Sequence, residues 1–245
     1  MRWHYTNKVY NDSVTEIIKP GIYLVDKPSG PSSHAIVNYF RKKSSIKRVG
    51  HCGTLDPLAS GLLIILVGRE YTKKQILYLK KDKEYLVEAQ LGIQTDTYDK
   101  TGQITQQKTW QELQKLKKTD LVKILPLFKG EIRQTVPIFS AVKVGGQKLY
   151  QKARRGEKVE LPIRKVEIKK LVLKKFEKDV KNEKITFELL VHCSSGTYIR
   201  SLIHDLGNKL EIGAHVTALR RTKIDKFHVK NSLKIDWDNQ PLPQH

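Results

Sequence analysis

Only two cysteines, Cys52 and Cys193, occur in 245 residues, so no disulfide framework organises this chain and a reduced compartment suits it. The eight histidines are scattered. None pairs with a second ligand at metal-site spacing, so no metal is expected. No window of about eighteen uncharged apolar residues exists to span a bilayer. Met1 to Asn11 carries no apolar signal core, and the expected location is the cytoplasm. Internal repeats and low-complexity tracts are missing too.

Acidic residues are the scarce charge. Against 46 Lys+Arg stand 25 Asp+Glu, a formal charge of +21 and a pI near 9.8. Such an excess points to a polyanionic partner, because phosphates neutralised by Lys and Arg release counterions and that release drives binding. A hydrophobic content of 39% with 29% charged residues is that of a soluble globular protein. The length supports one large domain, or one domain with an insertion.

The pattern of elements is mixed. Gly21 to Val25 reads as a short strand, stopped by Lys27-Pro28-Ser29-Gly30-Pro31. Ser32 or Ser33 then caps a helix carrying Ala35, Ile36, Tyr39 and Phe40 at helical spacing. Leu62 to Val67 is an apolar run that suits a strand covered on both faces. Tyr85, Val87, Ala89 and Leu91 alternate with polar residues, a strand with one wet face. Thr109 to Leu127 reads as one or two helices with Asp120 as a cap between them. The turn Gly145-Gly146 leads into a basic helix, Leu149 to Arg155. Val166 to Phe176 and Ile185 to Cys193 look like paired strands. Thr197 starts a helix that Gly207 ends, and two final strands cover Ala214 to Leu219 and Lys223 to Val229. Without a regular βαβα alternation the fold class is α+β, with a largely antiparallel sheet.

Chemistry concentrates in Gly50-His51-Cys52-Gly53-Thr54-Leu55-Asp56-Pro57-Leu58-Ala59-Ser60-Gly61, where one carboxylate sits among glycines in a strongly basic chain. On spacing alone Asp56 reads first as a helix cap ahead of Pro57, although Gly61 would stop that helix after one turn. His51 alone reads as structural. Arg200, at the edge of an apolar helical stripe, either snorkels to solvent or turns inward to keep a buried carboxylate ionised. Arg41, Lys42, Lys43, Lys47 and Arg48 precede the glycine turn, and Lys148, Lys152, Arg154 and Arg155 cluster on the short helix. These two clusters are the candidates for phosphate contacts. Arg164 to Lys184, with nine basic residues against four acidic ones, reads equally well as a solvated face. Tyrosines such as Tyr85, Tyr98, Tyr150 and Tyr198 either pack or stack on unpaired bases.

Gly50 to Pro57 resembles the catalytic motif of the TruB family of tRNA pseudouridine synthases. Asp26-Lys27-Pro28-Ser29-Gly30 resembles the family's first motif. Lys83-Glu84-Tyr85, Leu91 to Thr97, Ser140-Ala141-Val142-Lys143, Lys148-Leu149-Tyr150, Ser195 to Arg200 and Gly213 to Val216 follow in family order, so the resemblance runs from about Gly21 to Arg221. Departures are Cys52, where a small residue or Thr is usual, Val136, where a proline pair is common, and one extra residue in Glu70 to Lys73.

The resemblance implies the pseudouridine synthase fold and conversion of uridine 55 in the tRNA T-loop to pseudouridine, without a cofactor. It makes Asp56 the catalytic carboxylate and gives substrate-binding roles to His51, Lys73, Tyr85, Tyr198, Arg200 and Leu219. Arg200 would hold Asp56 ionised, Tyr85 would stack on the flipped uracil, and the glycines would let RNA backbone approach the turn. The alternative is a non-catalytic tRNA-binding or tRNA-folding protein on the same scaffold. The domain reading is a catalytic domain over 1–230 that includes a T-loop-binding insertion, then a short polar tail over 231–245. No counterpart of the relatives' C-terminal RNA-binding domain is expected. The partner is tRNA, through T-loop and T-stem, with no membrane, and the enzyme is a monomer.

Overall fold

A computed structural model describes residues 18–235 and Trp237, together with the strand placements of Trp3–His4 and Val9–Tyr10. In chain order the strands and helices are β1 (Trp3–His4), β2 (Val9–Tyr10), β3 (Gly21–Lys27), α1 (Ser33–Ser44), β4 (Val49–Cys52), β5 (Ser60–Val67), α2 (Arg69–Thr72), α3 (Gln75–Leu79) and β6 (Lys83–Leu91). There follow β7 (Ile93–Thr95), β8 (Ile104–Gln107), α4 (Trp110–Leu113), α5 (Lys118–Ile124), β9 (Gly130–Thr135), β10 (Lys143–Val144), β11 (Gln147–Lys148) and α6 (Leu149–Arg154). The chain closes with β12 (Ile163–Asp179), β13 (Lys184–Cys193), α7 (Ile199–Lys209), β14 (Ala214–Ile224), β15 (Phe227–His228) and β16 (Leu233–Ile235). It divides into two compact units, Met1–Tyr85 with Leu219–His245, and Leu86–Ala218.

In the first unit the strand order is β2-β16-β3-β5-β14, with β4 beside β5 and β15 beside β14. β3 and β5 pair antiparallel from Gly21↔Val67 to Lys27↔Gly61. Seven of the eight β5 residues are buried, because Leu62, Ile64 and Leu66 join Ile22, Leu24, Cys52 and Phe227 in a core cluster while the alternate residues face the other way. At about 1.5–3 kcal/mol per fully buried large aliphatic side chain, this strand is a main source of the unit's stability. α1 packs against β4 and β5. Its N-cap is Ser32, whose Oγ accepts from the Ala35 N–H at 3.0 Å.

In the second unit the order is β6-β13-β12-β9. β12 pairs antiparallel with both β13 and β9, and the strict in–out alternation of β13 places Ile185, Phe187, Leu189, Val191 and Cys193 inside. α4 packs on β13 and α7 on β9. Pairings are mostly antiparallel, with parallel contacts at β1–β3, β14–β5, β16–β2 and β16–β3, and seven α-helices accompany them among the described residues. The α+β expectation stands.

Five local expectations do not. Asp56 begins a turn closed by Ala59 N–H to Asp56 O at 3.0 Å, not a helix. The caps in 109–127 are Thr109 and Lys117, and Asp120 lies inside the second helix as the partner of the Lys117 N–H. Gly207 lies within α7, where an added Cβ would come 2.2 Å from Ala214 N. It is glycine because another backbone passes over it, and its carbonyl receives the Ile212 and Gly213 N–H groups that finish the helix. The break expected between the last two strands at Arg220 to Thr222 falls instead at Asp225 and Lys226, so β14 runs to Ile224 and β15 is short. Asn231 to Ile235, read as the start of a polar tail, instead contributes β16, with Leu233 and Ile235 buried.

Candidate active site

The Asp56 turn is fixed peptide by peptide. Arg221, 1% exposed, donates from Nη2 to Gly53 O at 3.0 Å, from Nη1 to Thr54 O at 3.5 Å and from Nε to Leu62 O at 2.7 Å. Ser33 Oγ accepts from the Leu55 N–H at 2.8 Å and donates to the Leu55 carbonyl at 2.9 Å. Gly30 N–H donates to Pro57 O at 2.8 Å, and Ser29 Oγ donates to Leu58 O at 2.9 Å. With each flanking backbone group tied down, the half-buried Asp56 carboxylate is held by its backbone before any substrate arrives, as preorganised chemistry requires.

Two buried cations underlie this turn. Lys27 is fully buried, with Nζ donating to Pro31 O at 2.7 Å, Pro28 O at 2.8 Å and, more loosely, Pro57 O at 3.4 Å. Burial pushes its pKa down to about 8, with nearby Arg221 adding to the fall and the Asp56 carboxylate opposing it. Because the folded pKa lies below the ordinary 10.5, the unfolded chain binds the proton more tightly between pH 8 and 10.5. Stability must therefore rise with pH across that window. Urea midpoints at pH 7.5 and 10 should show wild type gaining on Lys27→Met. An unchanged gap between the two proteins would mean that Lys27 does not titrate in its buried site.

The glycines act within the protein. Gly61 has φ +102°, and a Cβ there would lie 2.3 Å from Arg221 O, since β5 and β14 pair at Gly61↔Arg221. Its function is close strand approach, which corrects the reading of that glycine as an opening for RNA. Next to Arg221 on β14, Arg220 forms a two-point ion pair with Asp26, at 2.6 and 3.0 Å. His51 lies on β4, its carbonyl receiving Gln75 Nε2 at 2.6 Å. Burial, then Arg221 and His34, hold the His51 imidazole below its usual pKa and so neutral. Tyr85 on β6 and Leu219 on β14 are buried, and Lys73 is an exposed residue at the end of α2.

Two of the expected site residues belong to the second unit. Gln134, 1% exposed, grips Tyr198 from both sides of its own amide: Nε2 donates to Tyr198 O at 2.9 Å and Oε1 accepts from the Tyr198 N–H at 2.7 Å. Arg200 turns inward and is 4% exposed, so it does not snorkel. Its Nη1 donates to Thr97 O at 2.6 Å and its Nη2 to Phe139 O at 2.9 Å, with Asp99 Oδ2 at 3.6 Å from Nη1. Asp99 is itself held by Thr97 Oγ1, Thr101 N–H and Thr101 Oγ1. At the start and end of α6, Lys148 Nζ and the Arg154 guanidinium lie 5.5 and 5.7 Å from the Tyr150 ring centroid, a basic and aromatic cluster suited to phosphate and base.

The sequence gives no site role to Asp99, Gln134 or Arg221, reads Ser33 only as a possible helix cap, and leaves Lys27 inside a motif with no role. Asp99 follows the Leu91 to Thr97 motif by two residues, the one signal that could have found it. Among the described residues no group of three His, Cys, Asp or Glu side chains could hold a metal ion.

Two solved structures share this fold. The Cbf5–Nop10–Gar1 complex matches with TM-score 0.64 and 28% identity over 89% of this chain, and an H/ACA particle bound to a substrate RNA matches with TM-score 0.62 and 25% identity over 88%. The chain spans about half the length of those solved chains. The model of the TruB family pseudouridylate synthase N-terminal domain matches residues 41–199, and that of the tRNA pseudouridylate synthase B C-terminal domain matches residues 200–237. Among curated relatives, tRNA pseudouridine synthase B of Endomicrobium trichonymphae is 42% identical over 217 residues, 88% of this chain and 89% of that one. The enzyme of Caldanaerobacter subterraneus is 43% identical over 221 residues, 88% and 73%. The chain belongs to the TruB family of pseudouridine synthases.

Proposed function

We propose that this chain converts uridine 55 in the T-loop of tRNA to pseudouridine, with Asp56 as the catalytic carboxylate. The carrying observation is the Asp56 turn, clamped at every neighbouring peptide, in a chain about 40% identical over most of its length to enzymes named tRNA pseudouridine synthase B. The N1–C1′ bond breaks, the uracil turns within the site, and C5 bonds to C1′. The C5 proton departs and N1 gains one, so the product is an isomer and no cofactor is consumed. Asp56 acts by attack at C1′, attack at C6, or removal of the C2′ proton.

The remaining assignments follow the motif resemblance. Arg200 serves the Asp56 chemistry, Tyr85 stacks on the uracil, and Tyr198 and Leu219 are substrate-binding residues. His51 enters the T-loop where a base has been displaced, filling space whose emptying costs a few kcal/mol of stacking and pairing. Lys73 and the clusters on α1 and α6 meet phosphates, and the net charge of +21 favours a polyanion. The enzyme acts as a cytoplasmic monomer. Among the described residues no helix is long and apolar enough to cross a membrane.

The test is incubation with an unmodified tRNA transcript and with its isolated T-arm stem-loop, followed by carbodiimide mapping. One pseudouridine at position 55 is expected in both RNAs, and none in a transcript carrying cytidine there. RNA bound without product would return the chain to the non-catalytic alternative.

A further inference from the structure

Five described residues other than glycine have positive φ. Ser45, Glu183, Glu211 and Asp225 lie at helix ends and turns, whereas Tyr98, at 63°, is a bulky aromatic in the loop that holds Arg200. A tyrosine in this conformation carries strain and persists only where its surroundings impose it. Its immediate neighbours show what the strain achieves. Thr97 presents its carbonyl, and Asp99 its carboxylate, to the same Arg200 guanidinium. The left-handed turn between them lets groups one residue before and one residue after Tyr98 face a single cation.

The Tyr98 ring is held from α7. It stacks on the His204 imidazole with centroids 3.9 Å apart and planes 18° from parallel. His204 follows Arg200 by four residues and so shares its helix face; α7 therefore grips the loop at two points one turn apart. His204 is in turn oriented: Asn208 Nδ2 lies 3.0 Å from His204 Nε2, and Gln94 Nε2 donates to Asn208 Oδ1 at 2.6 Å. An amide NH₂ only donates, so Nε2 accepts and the neutral ring carries its proton on Nδ1. That Nδ1 is buried and has no hydrogen-bond partner among the described residues. The contact of the imidazole with Tyr98 is made by its flat face. Burial lowers the His204 pKa and raises that of Tyr98, which keeps both rings neutral near pH 7.

We propose that Tyr98 and His204 are positioning residues for Arg200, their stack holding the strained turn that keeps Thr97 and Asp99 on its guanidinium. The proposal rests on the reading that Arg200 serves the Asp56 chemistry. Neither ring meets the substrate; both act through the arginine.

His204→Ala should slow single-turnover pseudouridine formation at saturating RNA about tenfold, with the Kd for a T-arm stem-loop unchanged within about twofold. His204→Phe and Tyr98→Phe keep two flat rings in contact and should run close to wild type. His204→Gln, without the ring, should be as slow as the alanine variant and serves if that one fails to fold. Wild-type rates in both ring-free variants would overturn the proposal. A His204→Phe variant as slow as His204→Ala would also overturn it, by showing that the imidazole itself is needed. Arg200→Lys belongs in the same series. If it is unimpaired, the parent reading of Arg200 falls. If it is slow while the ring-free variants are fast, only the stack proposal falls.

Discussion

Asp56→Asn is expected to abolish pseudouridine formation while leaving the fold and RNA binding in place. Asparagine matches aspartate in shape but can act neither as a nucleophile nor as a base, so the rate should fall by at least about a thousandfold, on the order of 4 kcal/mol of barrier. The turn should survive the change. Its clamps are backbone groups held by Arg221, Ser33, Gly30 and Ser29, and its closing bond uses the Asp56 carbonyl. A second signature follows from Lys27. Asp56 opposes the fall in the Lys27 pKa, so removing the carboxylate should lower that pKa below 8 and move the pH-dependent gain in stability to lower pH. Product mapped after long incubation at the wild-type rate would end the assignment of Asp56.

Arg200→Ala is expected to lose most of the rate and also a measurable part of the stability. The guanidinium and its Asp99 partner are both buried, with side chains 4% and 7% exposed. Deleting one member of a buried pair costs about 3–5 kcal/mol because the other charge is left unmatched. The Thr97 and Phe139 carbonyls also lose their donors. A rate loss in this variant alone therefore does not separate chemistry from unfolding. Arg200→Lys keeps the charge but not the two-point geometry to Thr97 and Phe139, and should remain folded yet slow. Asp99→Asn leaves the arginine its two carbonyls and should cost less stability than Arg200→Ala. In each folded variant the loss should appear in the single-turnover rate, with T-arm affinity largely kept. An affinity loss as large as the rate loss would make Arg200 a phosphate contact.

Much of the architecture was legible because local rules agree with tertiary context. The β5 run is apolar throughout since both its faces are covered, and the β6 alternation reports one wet face. Ser32 caps α1 as its position suggests. The errors share a cause. Gly207 carries the usual signal of a helix stop, yet it sits inside α7 because the backbone at Gly213 and Ala214 crosses over it. Asp-Pro carries the signal of a helix start, yet residues 53–58 are captured by distant donors before a helix can form. The sequence reads as strands over Ala214 to Leu219 and Lys223 to Val229 because Arg220 to Thr222 interrupts the apolar pattern, whereas β14 runs on to Ile224. Those residues stay in one strand through Asp26, Leu62 and Glu84, partners supplied by β3, β5 and β6.

By itself the sequence determined the family and the basic character, because ordered motifs and net charge are properties of the chain. It also determined that Arg200 occupies a helix face able to turn inward. Tertiary structure alone decided that it does turn inward, and onto Asp99, Thr97 and Phe139. It decided too that Lys27 and Arg221 are buried under the Asp56 turn, and that Tyr98 is strained against His204. Each of these depends on a partner between 30 and 168 residues away in sequence, a separation over which spacing carries no information and only packing does.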